Sequence, residues 1–219
     1  MPDIADVAPA RAATADQPRA DLITRAAGGG APSPQAAGPR ATGSKAADPE
    51  VTGPEVTDPE VTGAEFRNAM GHFATGVTVV TSLGSEGQPV GTTANAVSSL
   101  SLDPPLVLVC FDLGSLTLQA IRGHGAFVVN ILAARQRRLS ANFAHRGHAA
   151  AWDGVRHRYG LTGSPRLEDV LAVMECTVEH ALPGGDHEIV VGRVRHVELS
   201  ASPDAPLVYF RGGYASLAS

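Results

Sequence analysis

The sequence predicts a mainly β domain, an antiparallel barrel with a few short helices, preceded by a disordered N-terminal tail. Beyond residue 63 the chain carries six or seven short segments rich in β-branched and aliphatic residues, separated by Gly, Pro and Asp turns. Before that point it is rich in Ala, Gly, Pro, Thr and Asp and has no aromatic residue. Because closing a barrel removes the exposed edges of such strands, we expect a closed barrel.

Length, composition and charge narrow the class of protein. The chain has 219 residues, 43% of them hydrophobic, which suffices for one domain with a core and a tail. Its formal net charge of -5 argues against a nucleic-acid-binding protein, which would usually be basic. No apolar run approaches the ~20 residues of a membrane span, and the first residues lack the apolar stretch of a secretory signal. We therefore expect a cytoplasmic protein that binds neither nucleic acid nor membrane.

Residues 1–63 are expected to form the tail and residues 64–219 the folded domain. The tail has too few large apolar residues to offset the entropy of ordering its backbone. Between Pro49 and Gly63 a five-residue pattern, PEVT followed by Gly or Asp, occurs three times. A proline at every fifth position forbids a regular helix, and three copies are too short for a solenoid. The tail could be a spacer or docking segment, or a neutral extension.

Cysteine and histidine patterns indicate neither a disulfide framework nor a metal site. Cys110 and Cys176 each lie inside an apolar run, so we expect two buried, reduced thiols. His145 and His148 are three residues apart, but no second pair or acid completes a ligand set. We expect no bound metal.

Three short helices are predicted. Thr62 and Glu65 have the spacing of a capping box, and apolar residues follow at helical intervals. The first helix should therefore cover residues 64–74, with its apolar stripe on the barrel. A second helix is predicted over 115–121, behind a Gly-Ser start, and a polar, Arg-rich third helix over 133–143.

Strands are predicted where β-branched and aliphatic residues run together. The stretch 106–111 is continuously apolar, which indicates a strand buried on both faces. Two long alternating strands, 170–181 and 187–199, should be joined by a hairpin at residues 183–185. The other predicted strands are 77–83, 89–97, 126–132 and 207–210, with a turn at 84–88 and irregular loops at 146–161 and 211–216.

The segment from Gly91 to Val109 is the densest in groups that could hydrogen-bond a ligand. Its small residues would let a flat ligand approach the backbone closely. The Asp103-Pro104-Pro105 sequence fixes a turn before the apolar strand. The hydroxyl and amide side chains in the segment are those of Thr92, Thr93, Asn95, Ser98, Ser99 and Ser101.

Several motifs, in this order, resemble the flavin reductase-like family, the small NAD(P)H:flavin oxidoreductases that feed two-component monooxygenases. The likeness covers about residues 64 to 217. It implies a split β-barrel of the FMN-binding type, in which two protomers pair and the flavin lies near their interface. The motifs are Phe66–Gly71, Phe73–Thr81, Thr93–Asn95, Ser99–Val107, Gly185–His187 and Gly212–Tyr214.

The resemblance assigns two groups of residues to the flavin. One group would line the isoalloxazine ring, where backbone N–H groups would stabilise the anionic reduced form. The other would hold the ribityl and phosphate end. The ring group is Thr93, Ala94 and Asn95, and the ribityl group is Ser99, Leu100 and Ser101. For this Ser/Thr-rich strand, the alternative is simple exposure at a sheet edge.

The helix predicted at residue 115 is the expected anion site. Ser115 and Thr117 lie at its start, where unpaired N–H groups suit a phosphate. Family members often carry Lys or Arg in the preceding loop, but this chain reads Asp112-Leu113-Gly114 there. Arg122, or an arginine from the 135–138 run, could substitute. This departure leaves open the choice between FMN and FAD.

His187, the predicted catalytic residue, follows Gly184-Gly185-Asp186 at a hairpin tip. In the family the matching Gly-Asp-His holds the nicotinamide nucleotide, and a histidine can donate to a carboxamide or phosphate. The alternative is a solvated loop histidine. Tyr214, Asn142 and Phe143 match family residues close to the flavin, with a core or interface position as the alternative for Tyr214 and Phe143.

The expected function is NAD(P)H-dependent reduction of FMN or FAD, with the reduced flavin serving a separate monooxygenase. The chain has no Gly-x-Gly-x-x-Gly motif of a dinucleotide-binding Rossmann domain, so flavin use depends on the resemblance. The sequence does not separate NADH from NADPH. The first alternative is a split barrel that binds flavin or haem without catalysis. The second is an oxidase like the related pyridoxamine-phosphate oxidases, whose cluster of phosphate-binding cations is not evident in this sequence.

Overall fold

The computed structural model describes residues 61–145, 149–201 and 204–217. Residues 1–60 of the predicted tail lie outside the described residues, so its disorder stays a prediction. The capping box is confirmed, because the Thr62 side chain accepts from the Glu65 N–H at 3.2 Å and the Glu65 carboxylate accepts from the Thr62 N–H at 2.9 Å. The first helix therefore begins at Gly63.

The described residues form a mainly β domain with three short α-helices, as predicted. The helices are α1 (Gly63–Met70), α2 (Leu116–His124) and α3 (Arg137–Phe143), with 3-10 turns at Ala134–Gln136 and Ala149–Trp152. The first six strands are β1 (Thr75–Gly76), β2 (Thr78–Leu83), β3 (Pro89–Ala94), β4 (Val97–Leu102), β5 (Pro105–Asp112) and β6 (Ala126–Ile131). The other six are β7 (His157–Tyr159), β8 (Pro165–Leu167), β9 (Ala172–Gly184), β10 (His187–Leu199), β11 (Val208–Phe210) and β12 (Gly213–Ala215).

Seven strands make one antiparallel sheet in the order β3-β2-β6-β9-β10-β5-β4. The two edge strands, β3 and β4, are consecutive in the chain and only Asn95 and Ala96 separate them. The sheet must therefore curl until its two ends meet, yet β3 and β4 do not pair. Closure of the sheet by strand pairing, which the strand pattern alone favoured, therefore does not occur, and the split barrel that the resemblance implied is confirmed. The barrel is split, and the predicted single strand 89–97 is divided at the split.

Two clusters of buried side chains form the core. One lies inside the barrel and includes Val80, Val109 and Phe127, with Leu118 and Ile121 contributed by α2. The other lies under α3 and β11 and includes Val77, Leu132, Phe143, Leu207 and Tyr209. Strands β2 and β6 are buried over almost their whole length because the two clusters lie on their opposite faces.

Strand β5 is buried on one face only, so the prediction of a strand buried on both faces is wrong. Val107, Val109 and Phe111 are buried, whereas Leu106, Leu108 and Cys110 between them are only partly covered. A continuous apolar run does not reveal which of its faces the fold covers. The second face of β5 is partly open to a cavity described below.

The apolar stripe of α1 also departs from its prediction, because it is not covered by the barrel. No residue of this helix is buried, and Phe66, Met70 and the following Phe73 are exposed by 60%, 43% and 68%. The capping signal and the helical spacing are local, so they predicted the helix correctly. They carry no information on whether the same chain supplies the covering surface.

The remaining differences concern loops. The predicted irregular region 146–161 contains the 3-10 turn and β7, which pairs with β8, although residues 146–148 lie outside the described residues. The predicted loop 211–216 contains β12, paired with β11. The β9–β10 hairpin turns at Gly185 and Asp186, so Pro183 and Gly184 belong to the strand. Within the described ranges, no helix is long and apolar enough to cross a membrane.

Candidate active site

A cavity of about 1350 Å³ lies at the split between β3 and β4. Strands β3, β4 and β5 form its wall, the start of α2 and the tip of β10 close one end, and α1 lies at its rim. Because β3 and β4 are sheet edges, their outward backbone groups are not used in strand pairing. The split therefore offers peptide N–H and C=O groups to a ligand, together with hydroxyl side chains.

Eight predicted site residues are brought together in this cavity. They come from β3, the link to β4, β4 itself, the first turn of α2 and the start of β10. The curling of the sheet joins these elements, although Thr93 and His187, the first and last of the eight, are 94 positions apart in the chain. The eight are Thr93, Ala94, Asn95, Ser99, Ser101, Ser115, Thr117 and His187.

The other four predicted site residues do not line the cavity. Phe143 is 1% exposed, and its ring packs edge-on against that of Trp152 with the ring centroids 5.0 Å apart. It therefore has the core position that was the alternative to a flavin contact. The Tyr214 hydroxyl donates to Ser140 Oγ at 2.9 Å. Asn142 precedes Phe143 on α3, and Leu100 is half exposed on β4 between the two lining serines. The register of β4 against β5 shifts between Ser99 and Ser101, so Leu100 is an extra residue with no opposite residue on β5.

Sequence reasoning missed several lining residues. Three of them lie in the motif Phe73–Thr81, which supported the resemblance without being assigned to the flavin. They are Thr75, Gly76 and Thr78. The Thr78 hydroxyl donates to the Ala94 carbonyl at 2.7 Å, and the Asn95 amide donates to Thr75 Oγ1 at 3.2 Å. These bonds fix the bend between β3 and β4. The position of this motif directly before the Thr93–Asn95 motif was the sequence feature that could have indicated these lining residues.

His145 and Met174 are further lining residues that were missed. His145 follows α3 directly, two residues beyond the predicted contact Phe143. The helix end therefore does reach the cavity, but with a different side chain. Met174 lies on β9, whose alternation sends it towards the barrel mouth while Glu175 beside it is fully buried. No local pattern distinguishes these positions.

His187 occupies the end of the cavity formed by β5 and β10. In the strand register it lies opposite Asp112. Its Nδ1 is 2.7 Å from the Asp186 carboxylate, and its side chain is 26% exposed. The hydrogen bond from His187, followed by its charge, lowers the pKa of Asp186. The ring is therefore oriented by a carboxylate while remaining accessible to a ligand.

The start of α2 is tightly bonded to its own loop. Gly114 N–H donates to Asp112 Oδ1 at 2.7 Å, and Leu118 N–H donates to Ser115 Oγ at 3.3 Å. Arg122, one of the cations suggested as a substitute at this site, pairs instead with Glu188, with Nε 3.0 Å from Oε1. Hydrogen bonding to Arg122 lowers the pKa of Glu188.

The arginines near α3 are also engaged elsewhere. Arg135 forms a salt bridge of 3.0 Å with Asp204, and Arg137 donates to the Tyr214 carbonyl at 3.0 Å. Neither lines the cavity. Among the described lining residues the only charged side chain is the carboxylate of Asp112, accompanied by the two histidines.

Both cysteines are free thiols, but the prediction that both are buried is correct only for Cys176. Cys176 is fully buried, and burial together with the neighbouring Glu175 carboxylate raises its pKa to about 12. Cys110 is only partly buried and lines the cavity, and its burial raises its pKa above the ordinary value. The part of the chain that the structure describes holds no cluster of metal-ligating side chains.

Residues 70–218 match the family model described as the flavin reductase like domain. The match covers more than half of the chain, so this protein belongs to that family. A "Probable flavin reductase" of Rhizobium meliloti is 43% identical over 148 residues, which are 68% of this chain. The matched region is 47% of that protein, so the present chain spans about half of its length.

Two further proteins are similar over most of their own length. The reductase component of 4-hydroxyphenylacetate 3-monooxygenase from Thermus thermophilus is 42% identical over 153 residues, covering 69% of this chain and 95% of that protein. The solved structure of an NADH:FAD oxidoreductase from Streptomyces globisporus has a TM-score of 0.68 and 32% identity, covering 77% of this chain and all of that chain. The fold is thus the split barrel of the flavin reductases.

The cavity residues fit a flavin. Its volume of about 1350 Å³ exceeds the ~300–1,000 Å³ of most ligand pockets, which leaves room for a second ligand beside the ring. A Cβ built on Gly76 would meet no atom within 4 Å, so the backbone of this lining residue faces open space. Small residues and hydroxyl-bearing residues together line the split, which suits a flat polar ring.

Proposed function

We propose that the protein is an NAD(P)H:flavin oxidoreductase that reduces FMN or FAD and supplies the reduced flavin to a partner monooxygenase. The observation that carries the proposal is the cavity at the split. It combines unpaired strand edges, hydroxyl side chains and His187 in one space large enough for two ligands. The family membership and the names of the relatives agree with this chemistry.

The protein would contribute binding and orientation. When bound, the flavin supplies the hydride acceptor that no side chain provides. Thr93, Ala94 and Asn95 would hold the ring along the backbone, and the half-covered apolar face of β5 would exclude water beside it. His187 would hold the nicotinamide nucleotide at the open side. Placing both rings at reactive distance would account for most of the rate increase.

NADH is the proposed donor. An extra phosphate on the adenosine ribose, as in NADPH, normally requires an arginine or a comparable cation. The described part of the cavity lining contains neither Lys nor Arg. A relative of similar fold is named for its use of NADH. Comparing the initial rates with NADH and NADPH at equal concentrations tests this choice, and a faster reaction with NADPH would contradict it.

A homodimer is the proposed assembly. Phe66, Met70 and Phe73 form an exposed apolar strip at the cavity rim, and β4 adds Leu100 and Leu102, which are 50% and 92% exposed. Apolar surface of this kind normally marks an interaction site. A second copy placed there would cover the strip and close the cavity. The predicted domain of residues 64–219 would be the unit that pairs, with the tail outside it.

Stopped-flow mixing tests the proposed function. The protein, loaded with one equivalent of FMN or FAD, is mixed with NADH without oxygen. We expect loss of the visible flavin absorbance within a turnover, and transfer of the reduced flavin to an added oxygenase or other acceptor. A barrel that only binds flavin would leave the absorbance unchanged, so that result would favour the non-catalytic alternative.

A further inference from the structure

The tip of the β9–β10 hairpin, which carries His187, is supported by the sheet on one side only. Within the described residues, the pairing of β9 with β6 ends at Thr177. Residues 179–184 of β9 are therefore flanked by β10 alone in the described part of the sheet. His187 is the terminal residue of both β10 ladders, opposite Gly184 of β9 and Asp112 of β5. The position of the tip thus depends on what holds β10 from the side of β5 and α2.

Two contacts hold the tip against α2 and the loop before it. In the backbone, Leu113 N–H donates to the Asp186 carbonyl at 3.2 Å. Between side chains, Arg122 in the last turn of α2 binds the Glu188 carboxylate with two nitrogens, and its Nε lies 3.0 Å from Oε1. Asp186 and Glu188 are the chain neighbours of His187. The histidine is therefore held at the residue before it and at the residue after it.

The ion pair is the contact that a side-chain substitution can remove. The Glu188 side chain is 13% exposed and that of Arg122 is 47% exposed. A carboxylate covered to this extent is costly without its counter-charge, so loss of Arg122 would drive Glu188 towards solvent and move the strand end with it. Neighbouring side chains of a strand point to opposite faces, so Glu188 acts on His187 through the backbone that the two residues share.

We propose that Glu188 is a positioning residue: through its ion pair with Arg122 it fixes the backbone of the hairpin tip and thereby the place of His187 in the cavity. The same helix contributes Leu116 and Thr117 of its first turn to the cavity lining. Helix α2 therefore lines the cavity with its first turn and holds the nicotinamide-binding histidine with its last turn. This inference rests on the proposed role of His187 in binding the nicotinamide nucleotide.

The test compares the full-length wild type with Glu188→Ala and Arg122→Ala at saturating flavin. Each variant should raise the KM for NADH about three- to fivefold, the size expected for one partly exposed ion pair. The kcat and the Kd of the flavin should equal those of the wild type, because only the binding of the nicotinamide nucleotide is weakened. Calorimetric titration of the flavin-loaded protein with NAD⁺ should show the same loss of affinity, and this measurement does not depend on turnover.

A double-mutant cycle shows whether Glu188 acts through His187. In the His187→Ala background, Glu188→Ala should not raise the KM for NADH further, because no ring remains to be positioned. The combination of Arg122→Ala with Glu188→Ala should likewise give no more than the larger single effect, because either substitution removes the same ion pair. A residue that only stabilised the fold would add its effect in both backgrounds.

A second ion pair on the same hairpin provides the matched control. Arg193 binds Glu179 with Nε 2.9 Å from Oε2 and Nη2 2.6 Å from Oε1, and neither residue lines the cavity. This pair joins β10 to β9 instead of to α2. Glu179→Ala should therefore leave the KM for NADH and the NAD⁺ affinity as in the wild type. An equal rise of the KM in Glu179→Ala would assign the effect to general loosening of the hairpin and would overturn the inference.

A Glu188→Ala protein with the wild-type KM and NAD⁺ affinity would also overturn it, and so would equal losses of flavin and NAD⁺ affinity. A further rise of the KM in the variant that combines His187→Ala with Glu188→Ala would do the same. Urea unfolding at pH 7 establishes that each variant is folded, and Arg122→Ala carries the test if Glu188→Ala is not. A wild type that oxidises no NADH with FMN, FAD or riboflavin would instead overturn the proposed function, so the two failures are distinguishable.

Discussion

His187 is the residue whose role can be tested most directly. It is the only side chain at the hairpin tip that lines the cavity, and Asp186 orients its ring. We expect His187→Ala to raise the KM for NADH about tenfold or more, because a lost hydrogen bond to a charged group is worth ~1.5–3 kcal/mol. Flavin affinity, measured by fluorescence quenching, should change much less.

The control for this variant is His196→Ala, an exposed histidine on the same strand that does not line the cavity. Its KM for NADH should equal that of the wild type. Equal losses of flavin and NADH binding in His187→Ala would show that the histidine supports the cavity as a whole, and would contradict its assignment to the nicotinamide nucleotide.

The two thiols offer a measurement of cavity occupancy that does not depend on activity. Cys110 lines the cavity and Cys176 is fully buried with a pKa of about 12. A thiol reagent at pH 8 should label Cys110 slowly, because thiolate is the reactive form and burial raises the pKa of this thiol. Cys176 should react only after unfolding.

Saturation with flavin should block the labelling of Cys110, and Cys110→Ser should abolish labelling of the native protein. Mass spectrometry of the labelled chain identifies the modified residue. Labelling of Cys176 in the folded protein, or labelling of Cys110 at the same rate with and without flavin, would be inconsistent with the cavity as described.

At the scale of the elements, the crossing of β10 over the barrel interior depends on Gly192. A Cβ at this position would lie 2.4 Å from Phe127 Cζ and 2.9 Å from Cys176 Cβ. Both neighbours are fully buried, so little space exists for relaxation. We expect Gly192→Ala to lower the free energy of unfolding by about 1–3 kcal/mol, the usual effect of overpacking, as measured by urea denaturation.

Gly123→Ala in α2 is the matched control, because a Cβ there would meet no atom within 4 Å. In a helix this exchange stabilises by ~0.5–1 kcal/mol, since alanine has the higher helix propensity. The two substitutions add the same methyl group. If both had the same sign of effect, the close packing around Gly192 would not be the cause.

The pairing of α2 with β10 predicts a dependence of stability on pH. Arg122 lowers the pKa of Glu188 in the folded protein. A carboxyl group with a lowered folded-state pKa stabilises fully above its unfolded pKa of about 4.3, and this stabilisation is lost as the pH falls through the folded-state value. Because Arg122 is half exposed, the gain should not exceed about 1 kcal/mol.

Urea unfolding of the wild type and Glu188→Gln should therefore differ at pH 7, with the wild type more stable. The difference should shrink as the pH falls below about 4.3. Glu86→Gln changes an exposed glutamate in the β2–β3 turn and should give no such difference. A gap between wild type and Glu188→Gln that widens in acid would contradict the assigned direction.

At the scale of the whole molecule, the exposed apolar strip formed by α1 and the following Phe73 predicts association. Phe73 is 68% exposed at the rim of the cavity. Burying a charge in an apolar interface is costly, so Phe73→Glu should weaken the proposed dimer by about 2 kcal/mol or more. Analytical ultracentrifugation should show monomers at concentrations where the wild type is dimeric, with weaker flavin binding as a consequence.

Leu161→Glu provides the control for surface charge. Leu161 is 75% exposed in the β7–β8 turn and does not line the cavity. Its substitution should leave both the assembly and the flavin affinity as in the wild type. A monomeric wild type, or a Phe73→Glu variant that still dimerises, would remove α1 from the proposed interface.

The sequence by itself determined the order of the helices and most strands and the hydroxyl-rich segment, and it singled out His187, which lines the cavity. These features depend on residues that are close together in the chain. Period-two patterns, the Thr62–Glu65 capping box and the glycine turns act over a few residues. The order of the motifs along the chain then indicated the flavin reductase-like family. Strands β7 and β12 were not predicted, because a strand of three residues is too short for its alternating pattern to be recognised in the sequence.

Only the tertiary structure decided where each side chain lies. It placed Phe143 in the core and His145 in the cavity, although only Ala144 separates them in the chain. It also left the barrel split and the stripe of α1 uncovered. The physical reason is that register and packing join distant segments: Asp112 meets His187 because β5 pairs with β10. Such pairings depend on the whole sheet, and no local stretch of sequence specifies them.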